Sequence, residues 1–382
     1  MRLALIGTAS EPHFRKWLPA LSEQGIEVHL VSYHALEQPI EGVTYHQVTS
    51  PFVSRTGFWS YHLSSVAPFK AVLNEIRPDV LMGSFATHYG WIAARTGFSP
   101  FVLMTWTRDV TVHPFQGLLQ KYYHYVVSRI MGQANLVVTD GPALAYLARK
   151  FFPEHAAKIQ SLLWGIRLSD YESPLKDVEE LRKKWSIPEG KIVLTAGRGV
   201  YFYYQPQIFL PAMLQLLGER EDVFVIVLTL GQERTPQTAV LLNQLAVHPR
   251  ALVVQTRLPL AEVREIWAIS DFMLSCPEYD GVSEAVLECL VAGTIPLLNE
   301  IPSNCALLEI GVSAFIVKDE SVLSLFSGIN QSLNAPPSVV ASMKAKNLKF
   351  VHQHASVEIT AQTFTGMLHQ LTSGLSETIT KT

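Results

Sequence analysis

Short apolar runs alternate along this chain with longer stretches in which apolar residues recur every three or four positions. Leu3 to Ile6 is such a run, closed by Gly7, and Phe14, Trp17, Leu18 and Leu21 then follow at helical spacing up to Gly25. Val28 to Val31, Val80 to Met82, Phe101 to Met104 and Leu136 to Val138 read as further strands, with helical stretches such as 116–130 between them. After Trp164-Gly165 the cycle restarts. Ile192 to Thr195, Phe224 to Thr229, Leu252 to Val254, Phe272 to Leu274, Ile295 to Leu298 and Ala314 to Val317 form a second series. Strands alternating with helices predict parallel sheets covered on both faces. The expected architecture is α/β: two Rossmann-like doubly wound domains facing a cleft, with ligands at the carboxyl ends of the strands near the point where strand order reverses.

The length of 382 residues, 48% of them apolar, suits two such cores. The expected division is 1–167, 168–355 and a final helix with its tail over 356–382; the helix is amphipathic and could pack on either domain, a return to the first being one arrangement. The polar stretch 169–190 reads as a linker. A net charge of −3 gives no sign of a nucleic-acid partner. Three cysteines without a CxxC pair, and an N-terminus that reads as a strand and not as a signal peptide, predict a cytoplasmic protein. No DxD, HExxH or Cys/His cluster predicts a metal, and no cofactor is expected.

The segment richest in chemistry runs from Cys276 to Gly293. It follows a strand, turns at Asp280-Gly281, and becomes helical from Val282 to Ala292 before Gly293 ends it. A helix start behind a glycine presents backbone N–H groups and a positive dipole end, here at Gly281, Val282 and Ser283, which suits a phosphate. Glu284 and Glu288 lie four apart on one face, and Asp280 precedes the helix. A nucleotide sugar requires this combination: N–H groups for its diphosphate, carboxylates for its hydroxyls. The same residues also fit a plainer arrangement, with Asp280 as a helix cap and both glutamates in solvent.

Asp280 and Glu288 stand at the spacing of an E-x7-E motif, followed by Gly293 and Pro296. In this the chain resembles the family-4-like retaining glycosyltransferases of the GT-B fold. Pro12-His13 and Trp17, Trp106-Thr107-Arg108-Asp109, Trp164-Gly165-Ile166 and Ala196-Gly197-Arg198 extend the resemblance over nearly the whole chain. It implies that Asp280 contacts the donor sugar and Glu288 the ribose, that Gly197-Arg198 meets the diphosphate, and that configuration is retained. The chain departs from the pattern in four places: Asp stands for the usual Glu at 280, Cys289 for Ala, Arg167 for the Asp that usually follows Ile166, and Val200-Tyr201-Phe202-Tyr203-Tyr204-Gln205 lacks the Lys that usually follows the Arg. Arg198 is then the main cation for the leaving diphosphate, with Tyr204 as a neutral donor.

Arg257 and Leu258, after the strand Leu252 to Val254, are expected to meet the base. Gly7, Thr8 and His13 are expected on the acceptor side, with Asp109 as an acceptor ligand or base; an ordinary turn, a surface His and a structural carboxylate are the plainer readings. The acid-free stretches 42–74 and 110–139 carry Phe52, Arg55, Phe58, Trp59, Tyr61, Phe69 and Lys70, then Lys121, Tyr122, Tyr123, Tyr125 and Arg129. They fit either a peripheral contact with the inner membrane face or buried packing. The expected partners are a nucleotide-sugar donor and a glycan, lipid-linked or small-molecule acceptor. A nucleotide-sugar epimerase or hydrolase, and a non-catalytic nucleotide-sugar binder, remain alternatives.

Overall fold

The computed structural model describes residues 1–49, 58–110, 117–172, 177–232 and 234–379. The chain forms two compact units, residues 1–167 with 356–382, and residues 168–355. The first unit is built on a parallel sheet of β1 (Arg2–Ile6), β2 (Glu27–Ser32), β3 (Val43–Gln47), β4 (Val80–Ser84), β5 (Phe101–Thr105), β6 (Leu136–Asp140) and β7 (Ile159–Leu162), in the order β3-β2-β1-β4-β5-β6-β7. Leu3 on β1 sits opposite Val28 on β2 and Val80 on β4, so the central apolar runs meet in register. The two strands that the apolar pattern does not predict, β3 and β7, lie at the edges. Edge strands are partly exposed, and both carry polar residues, Thr44, His46 and Gln47 on one, Gln160 and Ser161 on the other.

The second unit repeats the plan with β8 (Ile192–Ala196), β9 (Val223–Leu228), β10 (Ala251–Val254), β11 (Phe272–Ser275), β12 (Ile295–Leu298) and β13 (Phe315–Ile316), ordered β10-β9-β8-β11-β12-β13 and parallel throughout. The stretch 169–190 is not the linker that its polarity suggests. It holds helices Ser169–Glu172 and Val178–Lys184, and Leu181 is fully buried in the second unit. The polarity belongs to one helix face, where Arg182 pairs with Asp271 at 3.3 Å and Lys184 with Glu265.

The final helix, Val357–Ile379, belongs to the first unit. Its start is tied by a hydrogen bond from the Val357 amide to the Ile166 carbonyl, 2.9 Å. Its apolar face buries Phe364 edge-on to Trp17, with ring centroids 5.5 Å apart, on the helix Pro12–Glu23.

The aromatic residues of the acid-free stretches divide. Tyr61, Phe69 and Tyr123 are core residues of the first unit, as the buried-packing reading has it. Phe52 and Arg55 lie outside the described residues, and the side chains of Phe58 and Trp59 likewise. On the helix Leu118–Gln133 the surface expectation holds for Tyr122 and Tyr125, which are exposed together with Leu118, Leu119 and Lys121. Among the described residues no helix is long and apolar enough to cross a membrane.

Truncating Phe364 leaves a void against Trp17. Phe364→Ala is expected to lower unfolding free energy by about 3–5 kcal/mol, read by urea denaturation; a change within error would detach the final helix from the first core.

Candidate functional site

In the second unit the strand order reverses between β8 and β11, and the loops leaving these two neighbours supply most of the predicted donor residues. After β8 comes Gly197-Arg198-Gly199. A Cβ at Gly197 would lie 2.1 Å from the Trp267 ring, so the backbone passes the indole only as glycine. Gly199 takes a φ of +84°, which turns the chain away behind Arg198.

The Arg198 guanidinium binds the Asp280 carboxylate and the Ser283 hydroxyl, which approach from the β11 side. It also donates to the Tyr204 hydroxyl at 3.3 Å and lies 5.1 Å from that ring's centroid. Both charged side chains are largely out of water, at 13% and 24% exposure. Burial opposes the charge on Arg198, but Asp280 and the neighbouring tyrosines outweigh it and hold the guanidinium protonated. Burial lifts the Asp280 carboxyl above its ordinary range, against the lowering pull of Arg198 and of the Gly281 amide.

Here two expectations are corrected. The Gly281 N–H is not open to a ligand, because it donates to Asp280 Oδ1 at 2.9 Å. The helix begins later, at Glu284, with Ser283 as its cap accepting from the Val286 amide at 3.3 Å; Val282 lies before the helix. The Asp280-Gly281 turn forms a local carboxylate–amide bond that delays the helix by two residues.

Several residues that shape this loop carry no recognisable motif. Asn299, buried at the end of β12, donates to the Pro277 carbonyl and to Asp319, both at 2.7 Å. Gln205 donates to the Cys276 carbonyl and to Asp319. Tyr203 stacks on Tyr279 with ring centroids 5.4 Å apart, and its carbonyl accepts from the Glu278 amide. The only signal is position, since each follows a strand in the half of the sheet that carries the loop.

Glu284 and Glu288 lie on the helix Glu284–Val291 as their spacing predicts, but their environments differ. Glu284 is half-buried, whereas Glu288 is buried and accepts from Trp267 Nε1 at 3.3 Å. The same indole that demands glycine at 197 therefore orients Glu288. Tyr171 lies nearby, its hydroxyl raised in pKa by burial and by the charges of Glu288 and Glu284. Arg257 is exposed in the loop after β10, its amide 3.8 Å from where a Cβ on Gly231 would sit, while Leu258 packs on the small core beneath β9 and β10. These two do not join the Arg198 cluster.

In the first unit Gly7, Thr8 and His13 gather after β1. A Cβ on Gly7 would press on the Phe14 ring at 2.6 Å. The His13 ring lies 5.1 Å from Trp106, which also stacks on Phe85 at 5.5 Å. His88 is pushed down to about 4 by burial and then by Arg108, so its imidazole is neutral near pH 7.

Asp109 is not placed to meet an acceptor or to remove its proton: it is 1% exposed. Its Oδ2 accepts the amides of Ala86 and Trp106, each at 3.0 Å. The π-helical turn Phe85–Gly90 starts with Phe85 at a φ of +60°, and a Cβ on Gly90 would meet the Phe85 carbonyl oxygen at 2.7 Å. Asp109 thus staples a strained turn and sets Phe85 against Trp106.

Residues 2–139 match the family model described as "Glycosyl transferase 4-like". No curated protein matches the sequence. Among solved structures, sucrose-phosphate synthase from Thermosynechococcus elongatus shares 14% identity and a TM-score of 0.76 over 98% of this chain and 100% of that one. A glycosyltransferase from Rickettsia africae shares 11% identity and a TM-score of 0.76, over 97% and 98%. Anabaena HepE, in complex with UDP and glucose, shares 15% identity and a TM-score of 0.76, over 97% and 100%. At these identities the likeness is one of fold. The fold is that of the GT-B glycosyltransferases, and over residues 2–139 the chain is similar to the glycosyl transferase 4-like family.

Burial raises Asp109 to about 6, against the lowering effect of the amides of Trp106, Ala86 and Thr87. The folded chain therefore holds this proton more tightly than the unfolded chain. That stabilisation is complete below about pH 4, is lost as pH rises to about 6, and amounts to on the order of 3 kcal/mol. Asp109→Asn lacks the titration, so wild type is expected to lose stability relative to the variant between pH 4 and 6.5, measured by urea unfolding. A pH-independent difference would contradict the burial argument.

Proposed function

We propose that the chain transfers a glycosyl group from a nucleoside diphosphate sugar to an acceptor hydroxyl with retention of configuration. The observation that carries this is the Arg198 cluster: a buried, permanently charged guanidinium at the strand-order reversal, ringed by Asp280, Ser283 and Tyr204. The Asp280 carboxylate and the Ser283 hydroxyl mark positions that diphosphate oxygens would take. Guanidinium and phosphate match in a bidentate geometry. When a donor binds, Arg198 exchanges Asp280 for the diphosphate, and the freed carboxylate holds donor-sugar hydroxyls.

As the glycosidic bond breaks, negative charge grows on the departing diphosphate. Arg198 neutralises it in surroundings of low dielectric, and the Tyr204 hydroxyl adds a neutral hydrogen bond in place of the usual Lys. The scheme uses no metal, since Arg198 supplies the countercharge. Glu288, oriented by Trp267, accepts from ribose hydroxyls, and Arg257 and Leu258 meet the base. Thr8, His13 and the Trp106–Phe85 pair take the acceptor. Asp109 positions that aromatic pair and touches no substrate. The HepE complexes with UDP-glucose and with UDP support a nucleotide-sugar donor, and retention rests on the E-x7-E resemblance.

We also propose that the first unit meets an anionic membrane surface through Leu118, Leu119, Tyr122 and Tyr125 with Lys121. Large exposed apolar side chains beside basic ones, with no acid from 110 to 139, support this. Sedimentation with vesicles is expected to recover the chain on phosphatidylglycerol and not on phosphatidylcholine, and Leu118→Ser with Lys121→Gln to abolish recovery; equal recovery on both lipids would count against it.

For the donor site, UDP, GDP and ADP are screened by thermal unfolding. At about 100 times its Kd a ligand adds about 2.7 kcal/mol, a rise of a few degrees. At least one diphosphate is expected to stabilise wild type, Arg198→Ala to lose the response, and Asp280→Asn to bind that diphosphate more tightly while losing transfer. Absence of any response, or an equal response in Arg198→Ala, would overturn the assignment. Conversion of a nucleotide sugar without acceptor would mark an epimerase or hydrolase instead.

A further inference from the structure

A second feature of the same unit lies beside the Arg198 cluster and serves none of the roles above. Between the loop after β8 and the start of the helix Pro236–Ala246 is a pocket of about 350 Å³. Its volume falls within the range of roughly 300–1,000 Å³ common to small-ligand sites. The floor is apolar, formed by Val200, Pro206 and Leu241. One wall is aromatic: Tyr201 and Phe202 are 43% and 62% exposed, with ring centroids 5.8 Å apart and planes inclined at 45°.

These two rings stand on a braced loop. The amides of Val200 and Tyr201 both donate to Gln232 Oε1, at 2.8 and 3.0 Å, and the next residue, Tyr203, is stacked on Tyr279. Two large rings held out of the core on a braced loop present an apolar face that suits a ligand. The opposite wall supplies neutral amides and hydroxyls, from Gln207, Gln237 and Thr235. Arg234 completes the rim. Its guanidinium lies 3.4–3.5 Å from the Gln255 side-chain oxygen and enters no ion pair among the described residues.

Each part matches one face of a single ligand class. A pyranose presents axial C–H groups to aromatic rings and equatorial hydroxyls to amides and hydroxyls. One guanidinium answers one anionic group, a carboxylate or a phosphate, in a bidentate pair. We propose that this pocket is a saccharide subsite that takes a hexose carrying one anionic substituent, a carboxylate or a phosphate monoester. The pocket stands on the loop that also carries Tyr204.

The test measures binding to the full chain by calorimetry, with glucuronate, glucose 6-phosphate, glucose and inorganic phosphate as probes. At least one of the two anionic hexoses is expected to bind at least tenfold more tightly than glucose or phosphate, and which of the two does so identifies the substituent. Phe202→Ala is expected to weaken all three sugars at least tenfold. Arg234→Gln is expected to reduce the anionic hexoses to the level of glucose. Cooperative thermal unfolding of the same variants, with and without the diphosphate that stabilises wild type, reports that each is folded. Anionic hexoses that bind no better than glucose, phosphate that binds as tightly as glucose 6-phosphate, or affinities that survive both substitutions would overturn the subsite. Failure of UDP, GDP and ADP alike to stabilise wild type would instead remove the donor site and leave the subsite measurement standing.

Discussion

A guanidinium and a carboxylate held together out of water organise the second unit. Arg198 leaves β8, Asp280 arrives from β11, and these strands are neighbours because strand order reverses between them. Neither charge is stable there alone, since desolvation of a lone ion exceeds any packing gain by several kcal/mol. Each therefore requires the other, or something of like charge in the other's place. The proposed exchange rests on that requirement: a diphosphate would satisfy Arg198 as Asp280 does and would release the carboxylate for hydroxyl groups.

The surroundings serve that exchange. Trp267 presses on Gly197, which draws the backbone close behind Arg198, and its indole nitrogen orients Glu288. Asn299 and Gln205 hold the loop from Cys276 through their side-chain amides, so the Asp280 turn is anchored by neutral bonds that do not compete for Arg198. In the first unit a buried carboxylate has the opposite task. Asp109 spends its acceptor capacity on backbone amides and holds a strained turn, leaving the presentation of surface to Phe85, Trp106 and the neutral His88.

The two units also show how one sheet plan carries unlike chemistry. The β1, β4 and β5 ends of the first unit present aromatic rings, whereas the β8 and β11 ends of the second hold the ion pair. Aromatic surface suits sugar rings and a buried guanidinium suits phosphates. The Tyr201–Phe202 pocket extends the aromatic theme to within a few residues of Arg198 along one loop.

Hydrophobic periodicity in the chain predicted the central strands of both sheets, because strands buried on both faces must be continuously apolar. The same logic missed β3 and β7, which lie at edges where polar residues reach water, and it took 169–190 for a linker, because a helix with one wet face looks polar without its neighbours. Asp280 and Glu288 stood out as candidates by residue type and spacing after one strand end, and Arg198 by the family resemblance after another. What tertiary structure alone decided was who meets whom. Spacing does not tell that Asp280 turns to Arg198, that Asp109 faces inward, or that Tyr61, Phe69 and Tyr123 fill the core while Tyr122 and Tyr125 do not. Those outcomes depend on contacts between residues far apart in the chain, whose free energies no local pattern records.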